Sequence, residues 1–211
     1  MIRLYAIRYE ELPSAERLSA RIGAGTAALL TGGKRSPAAR QTLLGFDLLS
    51  RMLPDVDLRT VARTAEGRPF LAGGTVDFSL SHTDGLIVCA AETAVASPRV
   101  GVDAEVGSSM TPERMERIAA RWFLPGERDA LGSPVRLADF LAVWTAKEAA
   151  VKFSGGGLRE FSATRILSPS SARLADGRTV CVKSYRIPGA AVSLAYRPGA
   201  VPPEEIVFLS V

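Results

Sequence analysis

The period of the hydrophobic pattern changes several times along the chain. Ile2–Tyr9 alternates apolar and polar residues, as a half-buried strand does. No firm structure is expected around the Gly/Ser-rich stretch "GGKRSP". Ala38–Leu53 then takes a helical period, with Leu44, Leu48, Leu49 and Met52 as its apolar stripe and Arg40, Asp47 and Arg51 opposite. Three β-like runs follow, "TVDFSLS", "LIVCAAE" and "RVGVDAEV", separated by the turn signals "HTDG" and "ASPR". Pro112–Trp122 returns to helical spacing with Met115, Ile118, Ala119 and Trp122, and "LPGERDAL" reads as a capped turn into a short helix. A long helix through "FLAVWTAKEAAVKF" stops at Gly155–Gly157, and the tail holds the β runs "TVCVKSYRI", "AAVSLAYR" and "EIVFLSV". Each half repeats a coarse plan, a long helix followed by about three strands. The pattern predicts an α+β fold of two similar halves, 1–100 and 101–211, each a long helix packed on a small antiparallel sheet.

The helix "FLAVWTAKEAAVKF" breaks the amphipathic rule. At the helical period Lys147 falls between Phe140, Val143 and Val151, and Glu148 falls beside Leu141 and Trp144; the remaining side is small residues. A helix apolar all round is buried, and a buried charge is costly unless something pairs with it. A partner for these charges is therefore expected.

Composition adds limits. A net charge of +4 over 211 residues suits an anionic ligand, but the basic residues form no run, so no nucleic acid is expected as a partner. The alternating, charge-interrupted start reads as neither a signal peptide nor a membrane span. Cys89 and Cys181 sit in short apolar runs, and with one histidine they make no four-ligand zinc site. A reducing, cytoplasmic setting is expected.

Three motifs carry candidate chemistry. In "VGVDAE", Asp103 and Glu105 stand two apart on a strand and share a face, where their mutual repulsion favours a shared cation such as Mg2+; a solvated strand end would carry the same pair. Glu148 is a candidate third oxygen ligand, with Lys147 and Lys152 facing phosphate oxygens; the alternative is a surface pair of Glu148 with Lys152. His82, with Ser81 and Thr83, ends a strand before a turn, a place suited either to ligand contact or to local backbone bonding. "LLTGGKRS" fails as a phosphate loop, since Ala28 stands where the first glycine belongs and Arg35 where Ser or Thr is needed. No G-x-S-x-G elbow is present, so triad catalysis is not expected.

In order, "GRP", "FSLSHT", "VGVDAE", "FLPGERDAL" and "FLAVWTAKEAAVKFSGGGL" resemble the motifs of the 4'-phosphopantetheinyl transferases of the surfactin-synthetase-activating type. The family pattern is a G-K-P turn, F-N-x-S-H-S, G-[VI]-D-x-E, F-x-x-x-E and W-[ST]-x-K-E-x-x-x-K before a glycine-rich turn. The resemblance implies two α+β halves with the active site at their interface. It implies transfer of the phosphopantetheine arm of coenzyme A to a serine of an apo acyl or peptidyl carrier protein, releasing adenosine 3',5'-bisphosphate. By motif position, Asp103, Glu105 and Glu148 would bind Mg2+, and Glu148 would also take the serine proton. Lys147 and Lys152 would stabilise the phosphates, Lys152 more directly; Ser81, His82 and Thr42 would hold the adenosine 3'-phosphate region, and Arg68, in place of the turn lysine, would join the coenzyme A-binding residues. The chain departs from the family in the neutral "AGTAALLTGG" upstream of Thr42 and in Ser79 for Asn and Thr83 for Ser. A monomer serving secondary metabolism is expected. A Mg-dependent nuclease using Asp103, Glu105 and Lys147, or a non-catalytic carrier-binding module, are the alternatives.

Overall fold

The computed structural model describes residues 1–97, 99–108 and 110–211. Strand β1 (Ile2–Arg8) leads to two short helices, α1 (Ala15–Ile22) and α2 (Ala24–Thr31). The Ser14 side chain accepts from Arg17 N at the start of α1, and Gly32 ends α2 in the left-handed region. Helix α3 (Pro37–Met52) starts at Ser36, whose hydroxyl accepts from Ala39 N, with proline in the first turn. Next come the hairpin β2 (Val61–Arg63) and β3 (Pro69–Leu71), then β4 (Val76–Thr83), β5 (Leu86–Thr93) and β6 (Val100–Val106). The second half holds α4 (Pro112–Trp122), α5 (Pro125–Asp129) and α6 (Leu137–Ser154). Its strands are β7 (Arg165–Ser168), β8 (Ser171–Arg173), β9 (Thr179–Ile187) and β10 (Ala190–Tyr196), and β11 (Val207–Leu209) ends the chain's regular structure.

The two long helices, the strand runs and Pro112–Trp122 stand where the hydrophobic period placed them. Helices α1 and α2 and the hairpins β2–β3 and β7–β8 add to that expectation. They were hard to read because α2 spreads its apolar residues around the helix and each hairpin strand is only three or four residues long. The turn expected at "ASPR" includes Pro98, which lies outside the described residues.

One sheet has the order β11-β1-β5-β4 and the other β6-β10-β9-β8-β7. All pairings are antiparallel except β1 with β11, so the last strand returns to the sheet of the first. The molecule stacks as α3, sheet, sheet, α6. One face of the first sheet, with Ile7, Phe78 and Cys89, packs on α3 through Leu44, Phe46 and Leu48. Its other face, with Leu4, Val88 and Ala90, meets Val102, Val192 and Leu194 of the second sheet. That arrangement explains why β5 is apolar without alternation: both its faces are covered.

Helix α6 is covered on two sides, which answers the missing polar face. Ala146, Ala149 and Phe153 pack on the second sheet, while Phe140, Leu141 and Trp144 pack under α4 and the segment after it. The helix lies directly on β6 at Gly101, where a methyl group would overlap the Ala149 carbonyl oxygen and the Phe153 nitrogen. Gly155 takes the left-handed conformation that ends the helix.

Candidate active site

Strands β4 and β6 are outer strands of different sheets, yet they run side by side. Side chains on alternate residues of β4 take the place of a backbone ladder. Asp77 Oδ2 accepts from Val100 N at 2.8 Å, Ser79 Oγ from Val102 N at 3.0 Å, Ser81 Oγ from Ala104 N at 3.2 Å and Thr83 Oγ1 from Val106 N at 3.4 Å. Four short polar side chains thus satisfy N–H groups of β6 that β10 does not reach, as buried backbone donors require. The register has a chemical consequence: Ser81 comes to lie beside Asp103 and Thr83 beside Glu105.

Asp103 is buried, and its Oδ1 accepts from Ser81 Oγ at 2.8 Å and from Lys152 Nζ at 2.7 Å. Lys152 Nζ also donates to Ser81 Oγ at 3.1 Å. Asp103 Oδ2 makes no hydrogen bond and is the buried side-chain polar atom left without one among the described residues. Glu105 Oε2 accepts from Thr83 Oγ1 at 3.2 Å, and the Trp144 side chain also bonds that carboxylate. Burial, then the charge of Asp103, raises the pKa of Glu105. Glu148 is pushed up to about 7 by burial first and by Asp103 second; Lys152 opposes the rise and Glu105 adds to it. The surface-pair alternative for α6 therefore fails, because Lys152 pairs with Asp103 rather than with Glu148.

The chemistry of these acids, rather than their present arrangement, suits a hard cation. Among the described residues no group of three or more His, Cys, Asp or Glu side chains is arranged so that it could hold a metal ion. However, an unbonded buried carboxylate oxygen, two carboxyls with raised pKa values and an oxygen-only donor set are what a divalent ion such as Mg2+ would satisfy. A cleft of about 260 Å3 opens beside them, lined by Pro69, Phe78, Leu80, Glu148, Val151 and Lys152.

Lys147, Arg68 and Thr42, expected to bind coenzyme A, have partners within the chain. Lys147 is fully buried and points away from the acids of β6. Its Nζ donates to Glu127 Oε1 at 3.1 Å, to Glu127 Oε2 at 2.9 Å and to the Thr164 carbonyl at 2.5 Å, beneath the Phe161 ring. Successive residues of a helix project about 100° apart, and here Lys147 is turned to Glu127 while Glu148 lines the cleft. Arg68 borders the cleft, but its guanidinium is held by the Asp77 carboxylate and three backbone carbonyls. Thr42 Oγ1 donates back to the Ala38 carbonyl within α3. His82 lies at the exposed end of β4, where partial burial and then Lys152 lower its pKa, leaving the imidazole neutral at pH 7.

Glu127, Asp77 and Arg99 are site-shaping residues that the motif reading assigned no role. Glu127 also accepts from Leu124 N and Ile166 N, which ties α5 to the start of β7. The signal for Asp77 was present in the alternation Asp77, Ser79, Ser81, Thr83, polar at every second position of an otherwise apolar strand.

Comparison with curated proteins finds no match to the chain. Residues 99–183, which run from the approach to β6 through α6 into β9, match the family model of the 4'-phosphopantetheinyl transferase superfamily.

Proposed function

We propose that this protein transfers the 4'-phosphopantetheine arm of coenzyme A to a serine of an apo acyl or peptidyl carrier protein, as a Mg2+-dependent enzyme of the surfactin-synthetase-activating type. The observation that carries the reading is that Glu148 and Lys152 of α6 line one cleft, while Lys152 bonds Asp103 of β6 and Ser81 of β4 and the charges of Asp103 and Glu105 act on Glu148. The superfamily match over residues 99–183 supports the same reaction class.

Asp103, Glu105 and Glu148 would hold Mg2+, which when bound supplies charge neutralisation to a pyrophosphate. Everything else falls to the chain's own groups. The serine oxygen attacks the phosphorus nearer the pantetheine, and the bond to the bridging oxygen breaks. The electron pair leaves with adenosine 3',5'-bisphosphate. The serine proton goes to a carboxylate oxygen of Glu148, directly or through a water; a pKa of about 7 suits that task at neutral pH. Lys152, 2.7 Å from Asp103, is placed to exchange that contact for a phosphate oxygen. The neutral His82 ring and the hydroxyls of Ser81 and Thr42 are the groups proposed for the adenosine 3'-phosphate region. The nucleophile belongs to the partner, so no triad is needed.

The chain is proposed to act as a cytoplasmic monomer in secondary metabolism, since it carries both sides of the cleft. Among the described residues no helix is long and apolar enough to cross a membrane. The test is to incubate the protein with coenzyme A, Mg2+ and several apo carrier proteins and weigh the carriers. A gain of one phosphopantetheine is expected, and no gain on any carrier would refute the reading.

A further inference from the structure

The last turn of an α-helix leaves carbonyls without intrahelical partners. At the end of α6 arginines take them. Arg68 Nε donates to the Lys152 carbonyl at 3.0 Å, Arg99 Nε to the Phe153 carbonyl at 2.5 Å and Arg99 Nη2 to the Ser154 carbonyl at 2.6 Å. The rest of the Arg68 fork is equally committed. Nη1 and Nη2 grip Asp77 Oδ1 and Oδ2 at 2.8 and 2.7 Å, and Nη2 also reaches the carbonyls of Phe78 and Val100 at 3.2 and 3.0 Å. The Arg68 side chain is 10% exposed and that of Asp77 8%.

Lys152 is therefore tied at both ends to β4, with Asp103 of β6 sharing the ammonium. Its carbonyl is tied through Arg68 to Asp77, and its ammonium to Ser81 and Asp103. Asp77 and Ser81 lie on the same side of β4, four residues apart. The distance between these two anchors fixes where the last turn of α6 sits along the strand, and so where the ammonium falls.

We infer that Arg68 is a positioning residue: with Asp77 as its counter-ion it sets the last turn of α6 and thereby the place of Lys152, and it takes no substrate phosphate. This rests on the transferase reading for its kinetic consequence alone. A lysine in its place keeps the charge but cannot grip a carboxylate with two parallel N–H groups while a third N–H reaches a helix carbonyl.

The test compares wild type, Arg68→Lys and Asp77→Asn, each checked for folding by circular dichroism. Turnover is measured with coenzyme A and with 3'-dephospho-coenzyme A, and amide exchange is followed at Ser154 and Gly155. In Arg68→Lys the expected result is a kcat lower by about 10- to 100-fold, the loss a displacement near 1 Å can bring. The preference for coenzyme A over its dephospho form should stay as in wild type, and Ser154 and Gly155 should exchange faster. Asp77→Asn should reproduce both effects, and it carries the test alone if Arg68→Lys does not fold. A loss confined to the KM for coenzyme A and absent with the dephospho form would make Arg68 a phosphate ligand and overturn the inference. Unchanged exchange at the end of α6 would overturn it as well. If wild type itself transfers nothing, the functional reading fails, while the exchange measurement still decides the positioning role.

Discussion

Glu148 is a carboxylic acid held near neutrality by its surroundings, and that sets how the protein responds to pH. Its pKa of about 7 in the folded chain stands above the ordinary value of 4.5, with burial as the first cause and Asp103 as the second. The folded state therefore binds more protons than the unfolded chain between these values. Stability falls as pH rises from about 4.5 to about 7, and the cost is complete above that. Glu105, also raised by burial and Asp103, acts in the same direction. In metal-free protein, Tm should decline across this window, and Glu148→Gln should flatten the decline; an equal slope in both proteins would refute the assignment. A cation competes with the same proton, so Mg2+ affinity by calorimetry should rise from pH 5.5 to 7.5 and lose that rise in Glu148→Gln. The same variant should abolish transfer while leaving coenzyme A binding largely intact.

At the scale of the element, α6 divides its charges between two jobs. Glu148 and Lys152 face the cleft, whereas Lys147 locks the helix to α5 and to the approach to β7 through Glu127. A buried pair broken on one side leaves an uncompensated charge, at a cost of about 3–5 kcal/mol, while removing both charges costs less. Lys147→Met should therefore unfold at markedly lower denaturant concentration than wild type. The double variant Lys147→Met with Glu127→Gln, which removes the second charge and keeps a side-chain acceptor near the Leu124 and Ile166 amides, should recover part of that loss. Per folded molecule, the double variant should keep its affinity for coenzyme A. A large loss of affinity in a well-folded double variant would return Lys147 to the ligand-binding set.

For the molecule as a whole, the seam between the sheets is the feature on which the cleft depends. The side chains of Asp77, Ser79, Ser81 and Thr83 join β4 to β6 where no backbone ladder exists. Truncating one rung leaves a buried N–H without its acceptor, which costs about 1–3 kcal/mol. Ser79→Ala should lower stability by that amount and speed amide exchange at Val102 before it changes exchange in the β1–β5 pairing. Unaltered exchange at Val102 would mean that the seam does not rest on these side chains.

The sequence alone determined the element types, because period, caps and glycine stops act over a few residues. It marked α3, β4 to β6, α4 and α6, and it marked the acids at 103, 105 and 148 as a set of hard oxygen donors. It also held the polar alternation of β4, which becomes meaningful only beside β6. What tertiary structure decided was partnership. Lys147 and Lys152 are both lysines of one helix, yet one meets Glu127 and the other Asp103. Arg68 reads as a cleft cation until Asp77 and the Lys152 carbonyl are seen to occupy it. Such choices follow from the register between β4 and β6 and from the close approach of α6 at Gly101. Both are long-range fits of packed surfaces, and no local pattern of residues specifies them.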